Sequence, residues 1–126
     1  DLTGTMALRA YTRQYIYFLA KNPALYKIIF QEMGHDSWRS TYLIEQLFTP
    51  VIWFGEKSIE APLDSLKEFK TIPRANFISI IIGASSSFFM LAQLMENQYG
   101  TAVFSEEQIE QHAEVVNNII FSQFEV

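Results

Sequence analysis

The sequence predicts an all-α protein: a bundle of five or six helices forming one domain over residues 1–126. Its 126 residues are about the length of a single domain. Hydrophobic residues make up 49% of the chain, which is enough to fill one core. Only 5 Gly and 4 Pro interrupt it, and the apolar residues recur with a helical period rather than alternating.

The first two helices are predicted from spacing and from the residues at their ends. Apolar residues recur every three or four positions at Leu8, Tyr11, Tyr15 and Phe18. This spacing predicts an amphipathic helix over residues 5–20. Asn22-Pro23 is typical of an N-cap followed by proline at the first helical position. The second helix is therefore expected over Pro23–Met33, closed by Gly34.

The middle of the chain predicts a third, interrupted helix. Asp36 or Ser37 is the expected start, and Pro50 lies inside the apolar pattern that follows. Proline lacks an N–H and collides with the preceding turn, so the helix should kink or restart near Thr49. Residues 61–71 are the most polar stretch and predict a loop.

The last two helices are predicted to be the longest. Ile72-Pro73-Arg74 opens a helix that should end near Tyr99-Gly100. Ser105 and Gln108 have the spacing of a capping box, which predicts the start of a final helix extending through Phe124. Because the connection between the two helices is short, we expect them to pack antiparallel.

The charge distribution argues against a nucleic-acid surface. The net charge is −5, and all nine Lys and Arg lie within residues 1–74, whereas residues 75–126 contain six Glu and no cation. Affinity for DNA comes largely from cations that neutralise phosphates. The second half lacks them and the first half has no basic run, so we expect no nucleic-acid binding by these residues.

An uncharged run of 21 residues, Ala75–Met95, has the length of a membrane-spanning helix. It contains six polar residues, and only an acidic residue, Glu96, follows it. The favoured interpretation is a helix buried within a bundle or a dimer, with no membrane partner. The chain begins at Asp1 without a signal segment and has no Cys, so we expect a piece of a longer cytoplasmic protein.

No catalytic signature is present, and we expect no enzyme. Ser85–Ser87 could supply nucleophiles, but neither His is near them in sequence, and small residues that let another helix approach are the simpler interpretation. His35 and His112 could bind a metal, although single histidines beside carboxylates are common on solvated helix faces. The carboxylates concerned are Glu32, Asp36 and Glu114. We predict no metal and no cofactor.

Aromatic residues are the best candidates for a binding site. Tyr and Trp combine a ring with a hydrogen-bond donor, the combination found in apolar pockets. The predicted ligand-binding residues are Tyr11, Tyr15, Phe18, Trp38, Tyr42, Trp53 and Phe89. The alternative is that these side chains simply fill the core.

Two helix faces that avoid charge predict self-association. Small and polar residues share one face of the long helix, and apolar residues share one face of the last helix. The predicted interface consists of Ser79, Gly83, Ser86, Met90, Gln93, Ile109, His112, Val116, Ile119 and Ile120. Closed two-fold symmetry is the commonest way to bury such faces, so we expect a homodimer.

The order of these features resembles the regulatory domain of TetR-family transcriptional repressors. "FLAKNPALYKIIFQEMG" is similar to the segment after that family's linker helix. "IPRANFISIIIGASSSFFMLAQLM" and "FSEEQIEQHAEVVNNIIFSQF" resemble its last two helices. The resemblance covers about residues 5–124.

The resemblance implies a C-terminal regulatory domain of a bacterial regulator. Such a domain dimerises and binds a small hydrophobic or aromatic effector that modulates DNA binding. The DNA-reading helix-turn-helix domain would lie before Asp1, and none of its residues is in this chain. The alternative function is a helical protein-interaction or dimerisation module without a small-molecule ligand.

Overall fold

The computed structural model describes residues 4–46 and 72–122, and these residues are almost entirely helical. No strand occurs among them, which confirms the all-α prediction. Six helices are described: α1 (Gly4–Lys21), α2 (Pro23–Met33), α3 (Trp38–Leu43), α4 (Arg74–Met90), α5 (Ala92–Tyr99) and α6 (Glu106–Phe121). The predicted kink at Pro50, the predicted loop over residues 61–71 and the predicted helix end at Phe124 lie outside the described residues.

Helix α1 is the central element of the core. Its buried side chains recur at helical spacing and include Leu8, Ile16 and Leu19. It packs against α6, α4 and α2, so several helices share its apolar surface. Thr12 is buried among these side chains, and its hydroxyl donates to the Leu8 carbonyl at 2.8 Å, which satisfies the one polar group at that position.

The turns around α2 and α3 differ in detail from the predicted ones. Asn22 precedes α2 as expected, but its amide donates to the Phe18 carbonyl at 2.9 Å instead of accepting from α2. Gly34 closes α2 with φ −75°, a conformation open to any residue. Ser37 and Ser40 then form a reciprocal capping box that fixes the start of α3.

The predicted long helix is broken, which corrects the expectation of one continuous element. α4 ends at Met90, and α5 leaves at an angle of 61° from Leu91, whose φ and ψ are −99° and 23°. No proline or glycine marks this point. Phe89 is the last buried residue of α4, and α5 has no buried residue. Only the half-buried Ala92 and Met95 of α5 pack against the core, so few contacts hold the chain straight beyond Phe89.

Helix α6 begins where the sequence predicts and buries one face. The Ser105 hydroxyl accepts from the Gln108 N–H at 3.3 Å, which is one of the two bonds of the predicted capping box. Ile109, Ala113 and Val116 follow at helical spacing and are buried. This is the 3.6-residue pattern expected for a surface helix of a bundle.

Three contacts join α4 to the region of α6. The rings of Phe77 and Phe121 meet edge to face at 6.2 Å between centroids. Further along α4, His112 Nε2 lies 3.1 Å from the Ser85 carbonyl oxygen. At the end of α4, Phe89 stacks on Phe104, just before α6, at 5.7 Å.

None of the described helices alone is both long and apolar enough to cross a membrane. The bent pair formed by α4 and α5 meets those two criteria of length and composition.

Candidate functional site

Two buried tyrosines place hydroxyl groups inside the apolar core. Tyr15 on α1 is 3% exposed and Tyr26 on α2 is fully buried. Helical spacing explains both: Tyr15 shares a face with Leu8 and Leu19, and Tyr26 shares one with Ile29 and Phe30. The Tyr26 hydroxyl oxygen has no hydrogen-bond partner within the described ranges 4–46 and 72–122. An unpaired buried hydroxyl is uncommon and requires an explanation.

Both phenols are neutral donors at physiological pH. Burial raises the pKa of Tyr26 to about 12, because the phenolate would lose its hydration. Burial also raises the pKa of Tyr15, and the proximity of Tyr26 adds to this effect. The edge of Phe30 faces the Tyr26 ring at 6.1 Å between centroids. Among the described residues, the core around these phenols is therefore apolar and aromatic.

A second cluster with polar groups lies between α4 and α6. The His112 ring stacks on Phe88 at 4.5 Å and meets Phe89 edge-on at 5.3 Å. Desolvation lowers the pKa of His112, partly offset by hydrogen bonding to the Ser85 and Ala84 carbonyls. The neutral ring therefore predominates near pH 7, with Nε2 placed to donate to Ser85. The Ser85 hydroxyl is fully buried and has no partner among the described residues.

Ion pairs join the outer edges of α1 and α6. Arg13 donates through both terminal nitrogens to the Glu110 carboxylate, which also accepts from the Tyr17 hydroxyl. Two turns further along α1, Lys21 pairs with Glu106. Arg13, and secondarily Tyr17, lowers the pKa of Glu110. We call these five residues the α1–α6 seam.

The turn between α2 and α3 forms a concave surface around Trp38. A depression of about 420 Å³ is lined by Glu32, Trp38, Arg39, Tyr42 and Leu43. A neighbouring one of about 560 Å³ lies between Trp38 and the residues Glu32, His35, Asp36, Ser37 and Arg39. The Arg39 guanidinium lies 5.9 Å from the centre of the Trp38 ring, within the range of a cation–π contact.

The predicted ligand-binding residues are divided between the interior and the surface. Tyr15 and Phe89 are buried in the core, and Tyr11 and Phe18 are half-buried beside it. In contrast, Trp38 and Tyr42 are 75% and 59% exposed on the concave surface of α2 and α3. Trp53 lies outside the described residues. Spacing identified aromatic faces correctly, but it does not specify which neighbour covers each face.

The predicted interface residues also fall on two different surfaces. Ser79, Gly83, Met90, Gln93 and Ile119 are exposed, and His112 is half-buried. The remaining four, Ser86, Ile109, Val116 and Ile120, are buried within one chain. They have no free surface to offer a second copy, because other helices of the same chain cover them. This corrects the predicted interface at those four positions.

Tyr26 and Glu110 were not among the predicted site residues. The spacing of Tyr26, Ile29 and Phe30 marks a buried face, so the burial of Tyr26 was accessible from sequence. Its missing hydrogen-bond partner was not, because that depends on the surrounding helices. From the sequence alone, Glu110 is indistinguishable from a solvated carboxylate on a helix surface. Only the packing of α1 against α6 brings Arg13 to it.

Among the described residues, no three His, Asp or Glu side chains come together in a way that could hold a metal ion. Comparison of the chain with known protein families, with curated proteins and with solved structures finds no match.

Proposed function

We propose that this chain is the effector-sensing and dimerisation domain of a TetR-type transcription regulator. The observation that carries this proposal is an exposed strip of apolar and small residues along α4 and α6 without a charged side chain. We call it the apolar strip, and it consists of Ile80, Gly83, Ser87, Met90, Val115 and Ile119. Exposed apolar surface commonly marks an interaction site when it is extensive.

The TetR-type arrangement has its last two long helices antiparallel, and the contacts between α4 and α6 support that geometry. Residues advance along α4 while their partners recede along the chain: Phe77 contacts Phe121, and Phe89 contacts Phe104. Between them, Ser85 contacts His112. Two such helices from each of two copies would form a four-helix interface with two-fold symmetry.

Helical spacing places the residues of the strip on one exposed face of each helix. On α4, Ile80, Gly83 and Ser87 recur every three or four residues on the face opposite the buried Phe77 and Ile81. On α6, Val115 and Ile119 flank His112, which contacts α4 through Phe88. Val115 and Ile119 therefore lie on the side of α6 that carries His112 and are exposed there. Ile119 is 72% exposed, so in a single copy most of this apolar side chain is in contact with water.

Three of the four carboxylates of α6 lie toward α1. Glu106 and Glu110 pair with Lys21 and Arg13 on α1, which packs on another side of α6. Glu114 also interacts with Arg13 and so lies toward the same side. Two copies meeting through the strip would therefore not bring these carboxylates face to face, although α4–α6 contain no Lys or Arg beyond Arg74.

The sensing part of the proposal is supported by the core. The buried phenols of Tyr15 and Tyr26 and the buried hydroxyl of Ser85 introduce polar groups into an otherwise apolar interior. Ligand pockets are commonly apolar with a small number of polar groups that fix orientation. An effector held there would act by binding one arrangement of the helices more tightly than another, which shifts their populations.

The dimer is tested by sedimentation velocity of the wild-type chain and of Gly83→Glu at micromolar concentration. A side chain at Gly83 would meet no atom within 4 Å of its Cβ, so this substitution leaves the fold of one copy unstrained. We expect a dimer for the wild type and a monomer for Gly83→Glu, because the variant places a charge in the apolar strip. Gly34→Glu is the matched control on α2 and should stay dimeric.

A wild-type chain that sediments as a monomer, or a Gly83→Glu variant that stays dimeric, would contradict the proposed interface.

A helical protein-interaction module without a small-molecule ligand is the second candidate. The surface around Trp38 favours it, because exposed Trp, Tyr and Arg side chains are the types that dominate protein interfaces. Binding of a small apolar ligand distinguishes the two candidates. A dimer that binds no such compound would favour the interaction module.

A further inference from the structure

The core contains a large polar side chain, Tyr26, whose hydroxyl forms no hydrogen bond with the described residues. Tyr26 is fully buried, and its hydroxyl oxygen has no hydrogen-bond partner in the ranges 4–46 and 72–122. Two other buried hydroxyls are satisfied locally: Thr12 donates to Leu8 and Ser86 donates to the Ile82 carbonyl at 2.7 Å. The smaller Ser85 hydroxyl, like that of Tyr26, has no partner among the described residues. Tyr26 cannot bond to its own helix in this way, because its hydroxyl lies at the far end of a rigid ring.

We propose that Tyr26 is the hydrogen-bond donor for an uncharged effector that carries an acceptor oxygen, an inference that rests on the proposed sensing function. The acceptor belongs to the class of ketones, esters, amides and ethers. Tyr15 lies near enough to Tyr26 for Tyr26 to affect its ionisation. It therefore adds a second phenol to the same part of the core.

The protonation state of Tyr26 determines the chemistry of its partner. Burial raises the pKa of Tyr26 to about 12, so near pH 7 the side chain carries its proton. A neutral phenol donates one hydrogen bond and also accepts. A ligand oxygen without a proton of its own therefore satisfies the donor that the protein leaves unpaired.

The absence of charge around Tyr26 determines the charge of the ligand. The buried cluster that contains Tyr26 consists of aliphatic and aromatic residues, and none of its members is an acid or a base other than tyrosine. The ion pairs of the α1–α6 seam lie at the exposed edge of the helices. A carboxylate or ammonium group beside Tyr26 would lose its hydration without gaining an opposite charge, which is strongly unfavourable.

The aromatic surroundings favour a flat ligand. Phe30 presents its ring at 86° to that of Tyr26, and aromatic pairs in such edge-to-face geometry are attractive. A ligand ring placed beside Tyr26 can form the same kind of contact while its oxygen reaches the hydroxyl.

The first experiment measures thermal unfolding of the ligand-free protein for two Tyr→Phe variants. Tyr26→Phe should leave the unfolding midpoint unchanged or raise it, since the hydroxyl it removes forms no bond. Tyr17→Phe is the matched comparison and should lower the midpoint, because Tyr17 donates to Glu110. A midpoint that falls in Tyr26→Phe as much as in Tyr17→Phe would show that the hydroxyl already has a partner, such as a bound water, and would overturn the proposal.

The second experiment titrates three naphthalene probes of nearly equal size into the wild-type chain and into Tyr26→Phe. The probes are 2-acetylnaphthalene, which has an acceptor oxygen, 2-ethylnaphthalene, which has none, and 2-naphthoate, which is anionic. We expect the wild type to bind 2-acetylnaphthalene about tenfold more tightly than 2-ethylnaphthalene, a typical effect of one hydrogen bond. Tyr26→Phe should abolish that preference, whereas the exposed control Tyr99→Phe should keep it.

The outcomes separate this inference from the proposed function. If all three probes bind equally well to the wild type and to Tyr26→Phe, the sensing function stands and the assignment of Tyr26 is wrong. Tightest binding of 2-naphthoate would overturn the uncharged class of effector. No saturable binding of any probe would overturn both the inference and the sensing function, leaving the interaction module.

Discussion

His112 lies between α4 and α6, and its surroundings there change its pKa. It is stacked on Phe88 and approaches the Ser85 carbonyl, and desolvation holds its pKa below the ordinary value of 6.5. No acidic or basic side chain of α4 beyond Arg74 offsets this effect. A base whose pKa is lowered by folding favours the folded state only while it stays neutral.

We therefore expect the protein to lose stability between pH 7.5 and pH 5.5, because the unfolded chain binds a proton at His112 before the folded chain does. His112→Phe should lose less stability over the same interval, since it cannot bind that proton. Chemical denaturation at several pH values measures the difference. The control His35→Asn retains His112 and should keep the wild-type dependence, and an unchanged dependence in His112→Phe would contradict the prediction.

Glu110 contributes to stability in a lower pH range. Its hydrogen bonds with Arg13 and Tyr17 lower its pKa from the ordinary value of 4.5, so it favours the folded state above that value. This contribution is lost as the pH falls through the pKa of the folded state.

Glu110→Gln should be less stable than the wild type at pH 7, and the two should converge as the pH falls below 4. Denaturant midpoints measured at pH 7 and at pH 3 give this comparison directly. Glu96→Gln is the control, because Glu96 is exposed on α5 and has no ion pair among the described residues. A difference as large at pH 3 as at pH 7 would mean that the ion pair is not its source.

At the scale of single elements, the end of α5 depends on one backbone conformation. Gly100 has φ 65°, and its amide donates to the Glu96 carbonyl, the bond of an αL cap. Gly34 closes α2 with φ −75°, where any residue is permitted. The two glycines therefore form a natural comparison.

Gly100→Ala should destabilise the protein by about 1–2 kcal/mol, the cost of a left-handed conformation for a residue with a Cβ. A Cβ at this position would touch no atom within 4 Å, so the cost is one of backbone conformation alone. Gly34→Ala should be neutral or stabilising by about 0.4–1 kcal/mol, because it restricts the unfolded chain. Urea unfolding measures both, and equal effects would refute the assignment.

The elements also show how far local sequence could predict this fold. The start of α2 at Pro23 and the start of α6 after Ser105 follow from residues within one turn, and both are found as expected. The break at Leu91 was missed because no local signal marks it. It occurs where full burial ends at Phe89 and only half-buried residues follow, and the position of that change depends on distant helices.

At the scale of the whole molecule, the proposed dimer predicts that unfolding depends on protein concentration. If two copies share the apolar strip, mass action stabilises the folded state as the protein concentration rises. The thermal midpoint of the wild type should increase by a few degrees for each tenfold rise in concentration, and that of Gly83→Glu should not. Scanning fluorimetry over two decades of concentration tests this, and a wild-type midpoint independent of concentration would contradict the shared interface.

The candidate site could be predicted only in part. Apolar spacing identified Tyr15 and Phe89 as buried, and both are in the core. The same reasoning treated Trp38 and Tyr42 as equivalent to them, although both are exposed. Periodicity shows that a helix has an apolar face, but the identity of the partner that covers this face is a property of the assembled bundle.

The sequence by itself determined the helical class, the positions of most helix ends and the absence of cations after Arg74, because these depend on residues within a turn of one another. Only the tertiary structure decided which apolar faces became core and which stayed exposed. It buried Ile109 and Val116 within one chain while exposing Val115 and Ile119, and it left the Tyr26 hydroxyl without a partner. The physical reason is that burial and hydrogen bonding are properties of the space between helices, and contacts between residues far apart in sequence create that space.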